Sequence, residues 1–260
     1  MHRLPSKGPI PNELQTFCRD NPVCNKWDVF YNNYSESYKR LKLIILSQQG
    51  GLCAYCEEKL SQNEPSLQRV EHFHPKEDVS STHNWAFDWN NMIVTCHGGS
   101  RDDDGHTDSS QKKAKRNTEL HCDASKEQYI TPERCESYLL NPLTMPVECL
   151  FSLDRRTGEL QPNDDVCRTV TVQDNHFDSV AELVRSTIEI LNLNCNRLNE
   201  KRRKVIQEFE RQRKTLRQNA KTTTSIRESI AKKWFGNNIP SFYTTRRILL
   251  GKYAEDVITR

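Results

Sequence analysis

Four short segments of the chain carry side chains whose types and spacing could do chemistry. The first, Cys53-Ala54-Tyr55-Cys56, offers two thiols from one tight turn, half of the tetrahedral set that zinc prefers. Cys96 and Cys122 are the natural second pair, although 25 residues lie between them, and His97 or His121 could stand in place of Cys122. The second segment is Glu71-His72, continued by Phe73-His74-Pro75-Lys76. A carboxylate beside an imidazole is what metal-assisted phosphodiester hydrolysis needs. The imidazole can deprotonate water, and the carboxylate can hold the cation that neutralises the phosphate. The third segment is Asn91-Met92-Ile93-Val94-Thr95-Cys96, and the fourth is His121-Cys122-Asp123-Ala124-Ser125-Lys126. Cys18, Cys24, Cys135, Cys149, Cys167 and Cys195 lack ligand spacing and read as small buried residues.

Several elements must position these groups. Glu71-His72 ends a short strand-like run, where adjacent side chains point to opposite sides, and Asp123–Lys126 reads as the opening turn of a helix. Upstream, Trp27, Phe30, Tyr31, Tyr34, Tyr38, Leu41 and Ile45 recur at spacings of three and four, which predicts one helix with a single buried face, stopped by Gly50-Gly51. Residues 52–130 have short apolar runs and dense Cys, His, Asp and Asn, as suits a small metal-braced unit. Within them Arg101–Leu120 is polar throughout and reads as an exposed loop. Downstream, Val180, Val184, Ile188 and Leu191 hold a helical period, and Leu198, Val205, Phe209 and Leu216 continue a sparse stripe. That stripe runs through a basic block, Arg197 to Lys221, with ten Lys/Arg against three Glu. Such a block can attract a polyanion.

Composition bounds the rest. Hydrophobic residues make up 35% and mean hydropathy is −0.83, with a net charge of +3. No run approaches the roughly 18 apolar residues that span a membrane, and the first residues have no apolar signal core. A cytoplasmic protein is expected, in which thiols stay reduced and hold metal rather than form disulfides.

Taken in order, Cys-x2-Cys, Glu-His-Phe-x-Pro-Lys, Asn-Met-Ile-Val-Thr-Cys and Cys-Asp-x2-Lys resemble the zinc-containing HNH endonucleases. Within these the chain is most similar to the HNH component of the Septu anti-phage defence system, PtuB. Leu139-Leu140-Asn141-Pro142 and residues 187–194 resemble the same subfamily, and the likeness is weak after residue 215. The resemblance implies that His72 is the general base, that Glu71 is an acidic metal ligand, and that Asn91 ties the loop and orients the base. Asp123 stands where the last HNH letter is usually His or Asn, a departure that still offers oxygen to Mg²⁺ or Mn²⁺. Lys76 and Lys126 would position flanking phosphates, and zinc would only brace the site. The implied substrate is nucleic acid, DNA ahead of RNA. The implied partner is an ABC/SMC-like ATPase, joined in some related systems by a reverse transcriptase and its product DNA.

The fold expected is α+β and mostly helical. An N-terminal helical region (1–50) would precede a zinc-braced ββα-metal core (51–130) and a helical extension (131–260). That extension would contact a partner or nucleic acid, the latter through Lys201, Arg202, Arg203 and Lys204. A different class of reading is a non-catalytic zinc-ribbon binding or adaptor module, which has no need of a base beside a carboxylate. A zinc nucleobase deaminase is excluded, because Cys53 follows Leu52 rather than Pro and no H-x-E precedes it.

Overall fold

A computed structural model describes residues 1–61, 64, 67–78, 80, 82–99, 119–218 and 222–258. The polar stretch expected as an exposed loop lies, apart from Glu119 and Leu120, outside the described residues. Helix α1 (Asn12–Asp20) buries Leu14 and Phe17. The aromatic stripe forms two helices rather than the one expected, α2 (Trp27–Asn33) and α3 (Ser35–Gln48). They are parted at Tyr34, whose φ of −125° and ψ of 47° leave the helical region. The break rotates the stripe. Trp27, Phe30, Tyr38, Leu41 and Ile45 stay buried, while Tyr31 and Tyr34 are 49% and 40% exposed. Gly50 and Gly51, both at positive φ, end α3 by returning their N–H groups to Ser47 and Leu46 carbonyls.

Strand β1 (Gln68–His72) pairs antiparallel with β2 (Met92–Cys96), setting Gln68 opposite Cys96 and His72 opposite Met92. A single helical turn, α4 (Asp123–Lys126), follows. A second antiparallel pair joins β3 (Phe151–Leu153) to β4 (Leu160–Pro162), strands of three residues that are too short to show alternation in the sequence. After the short α5 (Asp164–Cys167) comes α6 (Val180–Ile190), opened by a reciprocal Ser179–Glu182 capping box. Then follow α7 (Asn196–Gln218), α8 (Thr223–Phe235), α9 (Tyr243–Leu250) and α10 (Lys252–Ile258).

One buried cluster draws on the whole chain: Phe17, Phe30 and Leu41 join Tyr55, Phe73 and Ile93, and Leu183, Leu193, Phe209 and Trp234. Buried Glu57 locks the two ends of the chain together. Its carboxylate accepts hydrogen bonds from the Thr244 N–H and hydroxyl at 2.9 and 2.7 Å, and it lies 2.8 Å from His2 Nδ1. No helix among the described residues is long and apolar enough to cross a membrane.

Candidate active site and metal centre

The C-x-x-C turn is shaped by its own backbone. The Cys53 N–H donates to the Glu58 carbonyl at 2.9 Å, and the Glu57 N–H returns to Cys53. Gln49 then clamps the turn to β2. Its amide nitrogen donates to the Leu52 and Val94 carbonyls, and its oxygen accepts from the Val94 N–H at 2.7 Å. Cys96 ends β2 beside it. The distant fourth thiol arrives through a close crossing at Gly98 (φ +56°), where an added Cβ would stand 1.8 Å from the His121 carbonyl oxygen. Cys122 itself sits at φ +55°, a conformation that costs a non-glycine residue about 1–3 kcal/mol and persists only where the surroundings enforce it. The end of α6 does so. The Cys122 N–H donates to Leu191, Asn192 donates to Leu120, and the Ser125 hydroxyl donates to Ile190.

The resulting sulfurs of Cys53, Cys56, Cys96 and Cys122 all lie within 4.8 Å of one another. Zinc–sulfur bonds of about 2.3 Å at tetrahedral angles would set sulfurs about 3.8 Å apart. The Cys53–Cys122 and Cys56–Cys96 separations are both 3.8 Å, and all four thiols are buried and free of disulfides. A soft, closed, four-sulfur set of this size could hold a structural metal. His121 stands at its edge, Nε2 3.8 Å from the Cys96 sulfur, in an overlapping group with Cys56, Glu58 and Cys96. His97 is in neither group and lines the neighbouring cleft instead.

Along one ladder, then, β1 and β2 carry Cys96 at one end and His72 at the other. α4 spans the interval, since Cys122 joins the sulfurs and the next residue, Asp123, meets Glu71. These two buried carboxyl groups share a hydrogen bond. Burial and the neighbouring Glu71 push the Asp123 carboxyl well above its usual range. Burial also resists ionisation of Glu71, but Lys126 and the Asp123 hydrogen bond outweigh it and hold Glu71 below its ordinary value. Two oxygen donors contending for one proton are what a hard divalent ion would relieve, so the residues fit such an ion. Meanwhile Arg69 is ion-paired with Asp123, and Lys126 with Glu71.

His72 is buried against the Trp27 ring, edge to face at 4.6 Å. Its Nε2 lies 3.0 Å from the Ala86 carbonyl. A carbonyl can only accept, so Nε2 carries the proton and Nδ1 the lone pair. Burial pulls the imidazole down to about 4, which keeps it neutral near pH 7. Glu71, His72, Asp123, Arg69, Lys76 and Lys126 all line one cleft of about 600 Å³. Asn91 sits behind it. Its oxygen accepts from the His74 N–H at 2.7 Å, and its amide donates to the His74 and Trp85 carbonyls. His74 stacks on Trp85 and bonds Asp78 and Glu136, and is not among the residues that line the cleft.

Not every residue singled out from the sequence has a face toward a phosphate. Lys76 lines the cleft, paired with Glu77. Lys126 is buried and braces the site, donating to Glu71 and, at 2.8 Å, to the His72 carbonyl. Arg202 is only 2% exposed, its guanidinium spent on the Leu193 and Gly158 carbonyls and Asn199. Lys201 pairs with Glu58 beside the cysteine turn, while Arg203 and Lys204 are exposed. Arg69 was missed, although its place two residues before Glu71 on a strand sets it on the same face.

No family model matches the chain. A curated protein of Escherichia coli, "Retron Ec83 putative HNH endonuclease", is 32% identical to it over 247 residues, which cover 91% of this chain and 89% of that protein.

Proposed function

The chain belongs to the HNH endonuclease family, and from that premise we propose that it hydrolyses phosphodiester bonds of nucleic acid, DNA ahead of RNA, at Glu71, His72 and Asp123. The observation that carries this reading is the neutral, tautomer-locked His72 in one cleft with the Glu71–Asp123 carboxyl pair. His72 Nδ1 accepts a proton from water as that water attacks phosphorus. Asn91 keeps the loop after β1 in place, and Lys126 holds Glu71 and the His72 backbone at fixed separation. A Mg²⁺ or Mn²⁺ ion held by Glu71 and Asp123 would supply charge neutralisation at the phosphate and the departing 3′-oxygen. Zinc in the four-cysteine set would brace the β1–β2–α4 unit, a ββα-metal arrangement, without taking part in bond cleavage.

The same reading extends to biology. The relative's name sets that protein in a retron, and residues 187–194, which resemble the Septu HNH component, here hold Cys122 in place. This chain then acts as the effector of an anti-phage complex with an ABC/SMC-like ATPase and, in a retron setting, with a reverse transcriptase and its product DNA. The test is cleavage of end-labelled DNA and RNA by the purified chain, with Mg²⁺ or Mn²⁺, with and without the ATPase. Cleavage lost in His72→Ala supports the assignment. A zinc-loaded chain that binds nucleic acid and cuts nothing in any combination is instead a binding module.

A further inference from the structure

One wall of the cleft is unlike the rest. Trp27 lies edge to face on His72, Tyr38 packs against Trp27 at 6.1 Å, and Tyr31 packs edge-on against Tyr38 at 4.8 Å. All three rings line the cleft that holds Glu71 and Asp123. Trp27 and Tyr38 are buried, but Tyr31 is 49% exposed. The helix break at Tyr34 leaves it so, since an unbroken stripe would have turned Tyr31 inward with its neighbours. Charge does not choose between a single strand and a duplex. Among the described residues the lining carries five carboxyl groups and four lysines and arginines, and two of those carboxyls, Glu71 and Asp123, are the proposed holders of the divalent ion. Such an ion would draw the phosphate of either form, but a duplex presents its backbone outermost with its bases stacked away. An unpaired strand presents both a phosphate and a free aromatic face, and base–aromatic stacking tolerates any sequence.

We propose that Tyr31 forms a stacking subsite for an unpaired nucleobase next to the scissile phosphate, making single-stranded nucleic acid, rather than intact duplex, the substrate of this cleft. The inference rests on the nuclease reading above for the position of the phosphate, and its test separates the two. Binding of fluorescein-labelled single-stranded DNA, single-stranded RNA and blunt duplex DNA of equal length is measured by anisotropy without added divalent ion, and cleavage is measured in parallel. Alanine at a stacking aromatic weakens binding by about 5- to 150-fold. Tyr31→Ala should lose that much for a single strand and under about twofold for duplex, while Tyr31→Phe, which keeps the ring, stays within about twofold of the parent. A single abasic residue, walked along the strand, should at one position lower binding by the parent chain and not by Tyr31→Ala. The DNA and RNA arms decide which sugar the subsite accepts. Equal losses for strand and duplex, no loss with Tyr31→Ala, or loss with Tyr31→Phe would overturn the inference, even with cleavage intact. Tyr31-dependent strand binding without any cleavage would instead remove the nuclease reading and leave the subsite.

Discussion

In the proposed reaction His72 is the general base, and three features of its surroundings suit that role. The Ala86 carbonyl chooses its tautomer, the Trp27 ring packs against it edge to face, and burial keeps it unprotonated near pH 7. His72→Ala should lower the cleavage rate about 10²–10⁴-fold with metal content close to the parent, as metal analysis would show, and with an unfolding midpoint lowered by the loss of a buried ring. The sign of its pH dependence follows from the depressed value. A base at the ordinary histidine value would fail below about pH 6.5. Held down to about 4, His72 keeps its lone pair through weakly acidic solution, and the acid limb of the rate profile should lie near pH 4. A limb between pH 6 and 7 would assign the proton transfer to another group. Glu71→Ala and Asp123→Ala should fail differently, with activity partly restored by raised Mg²⁺ or Mn²⁺.

The β1–β2 ladder and the α4 turn are too short to hold these groups by themselves. Every residue of β2 and α4 is buried in the fold, but elements this short have little area of their own to bury against one another, and an isolated two-stranded hairpin is marginal in water. What makes the unit rigid is that Cys122 and Asp123 are consecutive, so whatever fixes the sulfur cluster also fixes the carboxyl pair. Cys53→Ser or Cys122→Ser should therefore abolish bound zinc and lower stability sharply, because a structural zinc site can contribute on the order of 10 kcal/mol of folding free energy. Metal analysis finding no stoichiometric zinc in the parent chain would sink this reading. Gly98→Ala should disturb the same centre without touching a ligand, since its Cβ would collide with the His121 carbonyl. Reduced zinc occupancy in that variant is the measurement that checks it.

At the scale of the molecule, two features bind distant parts of the chain. Glu57 joins the first residues to α9 from inside the core. Burial resists its ionisation, but the amino terminus, His2 and Thr244 outweigh that and hold its carboxyl well below the usual range. A folded value below the unfolded one means that its stabilisation is complete above about pH 4.3 and fades as pH falls further. His72 adds an earlier loss between about pH 6.5 and 4, where the unfolded chain takes up a proton that the folded one refuses. Glu57→Ala should cost about 3–5 kcal/mol, as breaking a buried ion pair does, and urea titrations at about pH 7 and about pH 3 should show the difference narrowing in acid. Helix α7 is the second feature. Leu198, Arg202, Val205, Ile206 and Phe209 turn inward, while Arg203, Lys204, Arg211 and Lys214 are exposed. If the helix grips nucleic acid, neutralising those four should flatten the slope of log affinity against log salt by up to about 3–4. Arg202→Ala should unsettle the fold instead. An unchanged slope with lost ATPase association would give the exposed face to the partner.

Residue type and short-range spacing by themselves determined much of this protein. The Cys-x2-Cys turn, the Glu71-His72 strand end, Asn91, the glycine stop after α3 and the period of α6 and α7 are local features, and local chemistry writes them into neighbouring residues. What the tertiary structure alone decided depends on contacts between residues far apart in the chain. Cys96 and Cys122 could be suspected as partners, but the Gly98 crossing and the grip of Leu191 on Cys122 bring them together. Lys126 and Arg202 have the composition of phosphate contacts and became internal braces, because a cation's role is set by the acceptors that surround it once burial removes water. The aromatic stripe reads as one buried face. A single non-helical residue, Tyr34, divides it, so that Tyr31 lines the cleft half exposed while Trp27 packs on His72.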